Sequence, residues 1–206
     1  MREFFGMIKN AFILFIITLV AGALLGLVYQ VTKDPIAYQD MLAQNKANQS
    51  VFSDAITFND IRWDEEILED VYDELAVKGV RLQGVKQALD LNGDLLGYVI
   101  QMKTKGYGDS IIFTVGITNG GKMNGISIIS IAETPGLGMN AEKIIAPQFA
   151  GKNAVQFSVV KSGQLSDSGS QIEAISGATI TSKAITDGVD VANAYFEKAL
   201  KKGARQ

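Results

Sequence analysis

The chain has 206 residues, enough for one domain with a real core plus an appendage. Its formal net charge of −3 argues against a nucleic-acid binder, which would carry a basic face. It has no cysteine and no histidine, which removes thiolate metal sites, iron–sulfur clusters, His-ligated haem, disulfides and Ser-His or Cys-His catalysis.

Residues 1–10 read as a short tip in which Arg2 and Lys9 are set against Glu3. Residues 11–31 contain no charged side chain, and about 20 such residues can span a bilayer as a helix. Ala21-Gly22-Ala23 imitates a signal-peptide cleavage site, but the apolar run continues past it, so an uncleaved single anchor is expected. Arg2 and Lys9 precede the segment, whereas Lys33 after it is offset by Asp34. The positive-inside tendency then puts the N-terminus in the cytoplasm and the rest of the chain on the extracytoplasmic side of the cell membrane. Gly22 and Gly26 give a small-residue face suited to contact with other membrane subunits.

Asp34-Pro35 reads as the start of a new helix running to about Asn48, within a helical connector over 32–80. Residues 52–77 carry Asp64, Glu65, Glu66, Glu69, Asp70, Asp73 and Glu74 around Ile67, Leu68, Val71 and Leu75. The apolar residues recur at helical spacing, so the carboxylates are read as a solvated face rather than a cation site. A β-rich block follows. Segments 85–91 and 95–103 flank Asn92-Gly93, and 111–118 and 123–131 flank Asn119-Gly120-Gly121, two hairpin signals that imply an antiparallel sheet of four strands. Tyr107 between Gly106 and Gly108 can stack on a ligand or fill a turn, and the turn is the preferred reading.

Glu133-Thr134-Pro135-Gly136-Leu137-Gly138 predicts a tight loop with exposed amides and an apolar side chain presented by Leu137. A short helix is expected over 141–146, a strand within 152–160, and a Ser/Gly-rich surface loop over 161–170. Glu173 to Ser182 then sets small residues and hydroxyls directly before Ile185, Val189, Ala192, Phe196 and Ala199, the apolar face of a final helix. A helix start suits a phosphate, and Gly177 and Ala178 let one approach the main chain; a plain Ser/Thr cap is the competing reading. Lys183 lies one turn in, able to neutralise a phosphate or to sit solvated at the surface. Lys198, Lys201, Lys202 and Arg205 complement the negative end of the helix dipole.

Two of these stretches carry a resemblance. Ser176-Gly177-Ala178-Thr179 resembles the flavinylation motif of the FMN-binding subunits of Rnf complexes and of sodium-pumping NADH:quinone reductases, with Glu173 where the family usually has Asp. The Glu133–Gly138 segment is similar to a second motif of the same domains, a loop lying over the isoalloxazine ring. The resemblance implies an α+β fold, with a single transmembrane helix over 11–31 and an antiparallel-sheet FMN-binding domain with flanking helices over 81–206. It implies FMN joined through its phosphate to Thr179 by a flavin transferase that uses FAD. Ser176, Gly177, Ala178, Glu133, Thr134, Gly136, Leu137 and Gly138 would surround the cofactor. The residues by themselves leave the hydroxyls of Thr181 and Ser182 open as acceptors; the motif match selects Thr179. Within the family the chain is closer to the Rnf G subunit than to the longer C subunit of the quinone reductases, as an electron relay and not a stand-alone catalyst. A tethered module for a free anionic ligand and a purely structural protein of the complex are the rival readings.

Overall fold

The computed structural model describes residues 2–153, 155–166 and 169–201; Lys202 and Arg205 lie outside the described residues. The chain divides into two units, Met1–Ala43 and Gln44–Gln206. Helix α1 occupies Arg2–Val51, and its N-terminal part is long and apolar enough to cross a membrane, with its apolar side chains unburied by the rest of the chain. Two hydroxyls there are satisfied within the helix: Thr18 and Thr32 donate to the carbonyls of Leu14 (3.1 Å) and Val28 (2.8 Å). The new helix expected at Asp34-Pro35 is not seen, because α1 runs through Pro35 without a break. Proline removes one main-chain hydrogen bond, and helix-forming runs on both sides carry the helix across it.

In the second unit, β1 (Thr57–Ile61), β2 (Val80–Leu89), β3 (Leu95–Lys105), β4 (Ser110–Thr118) and β5 (Met123–Ser130) form one antiparallel sheet in sequence order. Both hairpins fall where Asn92-Gly93 and Asn119-Gly120-Gly121 put them, with Gly93 and Gly121 at positive φ. The Asp90 carboxylate holds the first turn by accepting the N–H groups of Asn92 (2.8 Å) and Asp94 (2.9 Å). The fifth strand is new: β1 pairs with β2 from Thr57↔Leu89 to Ile61↔Val85. Helix α2 (Glu65–Leu75) is capped by Asp64, which accepts from Glu66 and Ile67, and buries Leu68 and Val71 while its carboxylates stay solvated.

The sheet's inner face, with Ile100, Met102, Phe113 and Val115, packs on helix α4 (Thr179–Tyr195) and the π-helical turn Phe196–Leu200. Ile185, Val189, Ala192 and Phe196 are fully buried there, the face expected from their spacing. On the outer face, Val51, Phe52 and Ala55 cover Ala88 and Val99. Between β5 and α4 lie the short helix α3 (Ala141–Ile144) and strands β6 (Ser158–Val160) and β7 (Gln171–Glu173), which pair in parallel. The strand expected over 152–160 shrinks to its last three residues.

Candidate functional site

A cleft of about 470 Å³ opens between the 133–138 loop and the start of α4. Glu133, Thr134, Leu137 and Gly138 line one side, Gly177, Ala178 and Thr179 the other. Gly136 and Ser176 belong to the same two loops but do not line the cleft. Tyr107, Ile180 and Thr181 also line it; Ile180 carries no sequence signal, Tyr107 reads first as a turn filler, and Thr181 stands as an alternative acceptor. Tyr107 is 72% exposed, and the glycine on either side was the signal available for it.

The loop is shaped by its main chain. The carbonyl of Thr134 accepts the N–H groups of Leu137 (3.1 Å) and Met139 (3.4 Å), and Asn140 Nδ2 donates to the carbonyl of Gly136 (2.9 Å). Glu133 is buried beneath the cleft. Its Oε1 accepts the Gly108 N–H at 3.1 Å and its Oε2 the Thr181 hydroxyl at 3.0 Å. One side chain thus ties the Gly106–Asp109 turn, the 133–138 loop and the first turn of α4 together. Gly138 is needed for that packing: a Cβ there would meet Glu133 Cβ at 2.7 Å and Thr181 Oγ1 at 2.8 Å.

The helix start does not carry the plain Ser/Thr cap. Its N-cap is Ala178, and among the described residues no side chain caps the first turn's N–H groups. Gly177, at φ +76°, makes the turn into it beside Leu137. The three hydroxyls that the sequence left equivalent now differ. Thr179 is exposed, whereas Thr181 is 1% exposed and held by Glu133, and Ser182 is fully buried. Ser182 Oγ accepts the Ile175 N–H and donates to the carbonyl of Ala178, both at 3.0 Å.

Two charged candidates are not brought to the cleft. Lys183 pairs with Asp187 at 3.0 Å, one turn further along α4. Glu173 accepts Ser162 Oγ (2.8 Å) and the Gly163 N–H (2.7 Å), and these bonds, the amide first, hold its carboxyl below the ordinary range. It thereby pins the turn after β6 to the strand that leads into the Ser176–Thr179 segment.

The donor set and shape fit a flavin phosphate and ring. An uncapped 17-residue helix start faces an exposed hydroxyl, and the exposed apolar side chains of Leu137, Ile180 and Tyr107 surround it.

Comparison with known proteins agrees with this geometry. Residues 106–194 match the family model for the FMN-binding domain, and residues 5–51 match that for the RnfG N-terminal region. The chain is 32% identical over 199 residues to the G subunit of the Na+-translocating ferredoxin:NAD+ oxidoreductase complex of Acetobacterium woodii, covering 94% of this chain and 93% of that protein. It is 34% identical over 191 residues to the G subunit of the proton-translocating complex of Clostridium ljungdahlii, covering 91% and 89%. Among solved structures, the C subunit of the Na+-translocating NADH-quinone reductase from Parabacteroides distasonis shares the fold with a TM-score of 0.52 at 19% identity, over 79% of this chain and 94% of that one. NqrC of Shewanella oneidensis also gives 0.52, at 20% identity, over 60% and 61%. With an apolar N-terminal helix, an FMN-binding domain and relatives matched along nearly their whole length, this chain belongs to the RnfG family, the G subunits of the ion-translocating ferredoxin:NAD oxidoreductase (Rnf) complexes.

Proposed function

We propose that this chain is the membrane-anchored flavoprotein subunit of an Rnf-type complex, carrying FMN as a phosphoester on Thr179 and relaying electrons between other subunits. The observation that carries the reading is the exposure of the Thr179 hydroxyl at an uncapped helix start, while the hydroxyls of Thr181 and Ser182 are buried and engaged. FMN, when bound, supplies the reversible one-electron chemistry that no side chain of this sequence offers. The chain's own residues bind and orient. The first turn of α4 meets the phosphate with N–H groups and the positive end of its dipole, an effect of roughly 0.3–1 kcal/mol, so the covalent bond and not the dipole retains the cofactor. Leu137 and Ile180 give the ring apolar contact and exclude water from it, and Glu133 holds the surrounding loops in register.

In this reading Ser176, Gly177, Ala178, Glu133, Thr134, Gly136, Leu137 and Gly138 make up the cofactor loops, and a flavin transferase loads FMN from FAD during maturation. Residues 1–10 form a cytoplasmic tip and 11–31 span the membrane once; the rest stands on the extracytoplasmic side, and β1 and α2, which fall in the helical connector expected over 32–80, belong to the same sheet and core as 81–206. Both RnfG relatives favour this assignment over the C subunit of a quinone reductase.

Mass spectrometry of the chain purified from its own cell tests the reading. Trypsin releases residues 162–183 as one peptide, and fragmentation is expected to find Thr179 heavier by one FMN less a water. A peptide only at its bare mass overturns covalent attachment; reversible uptake of a free anionic ligand would then favour the tethered binding module.

A further inference from the structure

A second recess, of about 400 Å³, lies on the other side of the Gly106–Asp109 turn from the flavin cleft. Its walls carry Arg81, Lys103 and Lys105. Arg81 and Lys103 are directly opposed across β2 and β3, and Lys105 stands two residues further along the same face. Like charges in that register repel, which makes the arrangement a cost to the sheet. No carboxylate lies within ion-pair distance of any of the three among the described residues. Asp109, the recess's carboxylate, is turned to the amide of Ser110 at 2.6 Å. A local positive patch therefore persists on a chain whose net charge is −3.

We infer that this basic recess docks the acidic face of a neighbouring protein of the complex, the one that exchanges electrons with the flavin. The inference rests on the function proposed above. Two features select a protein face over a small anion or a lipid headgroup. The charges are distributed over two strands and about 7 Å along one of them, which matches an extended acidic surface better than a single phosphate. The recess also shares a wall with the flavin cleft: Gly108 lines it, the Gly108 N–H is held by Glu133 beneath the cleft, and Tyr107 in the same turn lines the cleft itself. A partner seated on Arg81, Lys103 and Lys105 is thus brought alongside the redox site, and unpaired surface charge steers such an encounter.

Zero-length carbodiimide cross-linking of the intact, detergent-solubilised complex tests this, because it joins an amine to a carboxylate in contact. Lys103 or Lys105 is expected to link to an Asp or Glu of another subunit, with Lys86–Asp60, paired at 2.6 Å, as the internal positive control. The triple variant Arg81→Glu, Lys103→Glu, Lys105→Glu is expected to slow flavin reduction by the complex's own donor at least tenfold, with reduction by dithionite unchanged. A wild-type rate in the variant overturns the inference. So do links from Lys103 and Lys105 only to a second copy of this chain, or no links there while the Lys86–Asp60 control forms. The cross-link needs no flavin: a wild-type complex that links but carries no FMN would refute the proposed function and leave the docking recess standing.

Discussion

Removing the Thr181 hydroxyl separates the two roles that adjacent hydroxyls play at the start of α4. Thr181 is 1% exposed and donates to Glu133 Oε2 at 3.0 Å, so Thr181→Val leaves a buried carboxylate oxygen without that donor at nearly constant volume. A hydrogen bond to a carboxylate contributes about 1.5–3 kcal/mol, and for a domain of this size each kcal/mol moves Tm by ~2–4 °C. The variant is therefore expected to melt roughly 3–12 °C lower. Its flavin stays attached, because Glu133 keeps the Gly108 N–H and Thr179 is untouched. Thr179→Val is expected to do the reverse, since Thr179 is exposed: Tm stays within about 1–2 °C, from a change of ~0.5 kcal/mol or less, and the flavin is lost. The pair is read by thermal unfolding alongside in-gel flavin fluorescence after denaturation. Flavin retained in Thr179→Val, with flavin lost in Thr181→Val at an unchanged Tm, would refute the assignment of roles from exposure.

Two further outcomes follow from other parts of the chain. Burial first, with Asp187 adding to it and the Phe157 N–H and Lys183 opposing, raises the Asp190 carboxyl from 3.8 to about 7. The folded state holds that proton to higher pH than the unfolded chain, so its contribution to stability is fully present below pH 4 and declines as pH rises to about 7. Asp190→Asn keeps an oxygen for the Phe157 N–H, at 2.8 Å, and removes the titration. Its stability relative to wild type is expected to rise by up to roughly 4 kcal/mol between pH 4 and 8, and denaturant titrations showing a constant difference would refute this. The sequence has no cysteine, so Leu91→Cys, at an 83% exposed turn position, introduces a unique thiol. A membrane-impermeant maleimide is expected to label it from the extracytoplasmic side of intact cells; labelling only after lysis would reverse the assigned orientation.

Local patterns were enough for the elements that carry their own signal: the uncharged run in α1, the Asn-Gly hairpins, and the period of Ile185, Val189, Ala192 and Phe196. They failed where an element is defined by its neighbour. Strand β1 has no apolar alternation because it is an edge held by main-chain pairing to β2, and β6 and β7 are each three residues stabilised by each other. Pro35 reads as a helix start in any local window, yet α1 continues through it.

The site divides in the same way. Composition by itself excluded cysteine and histidine chemistry, periodicity gave an anchored α+β chain with a helix start suited to a phosphate, and the resemblance of two loops about 40 residues apart implied a flavin between them. Which of three neighbouring hydroxyls is free, that Tyr107 turns toward those loops, and that Glu133 joins them were decided only by the tertiary structure. The reason is physical: helical periodicity turns Thr181 and Ser182 inward onto partners from residues 133 and 175, while Thr179, two positions earlier, is left facing the cleft.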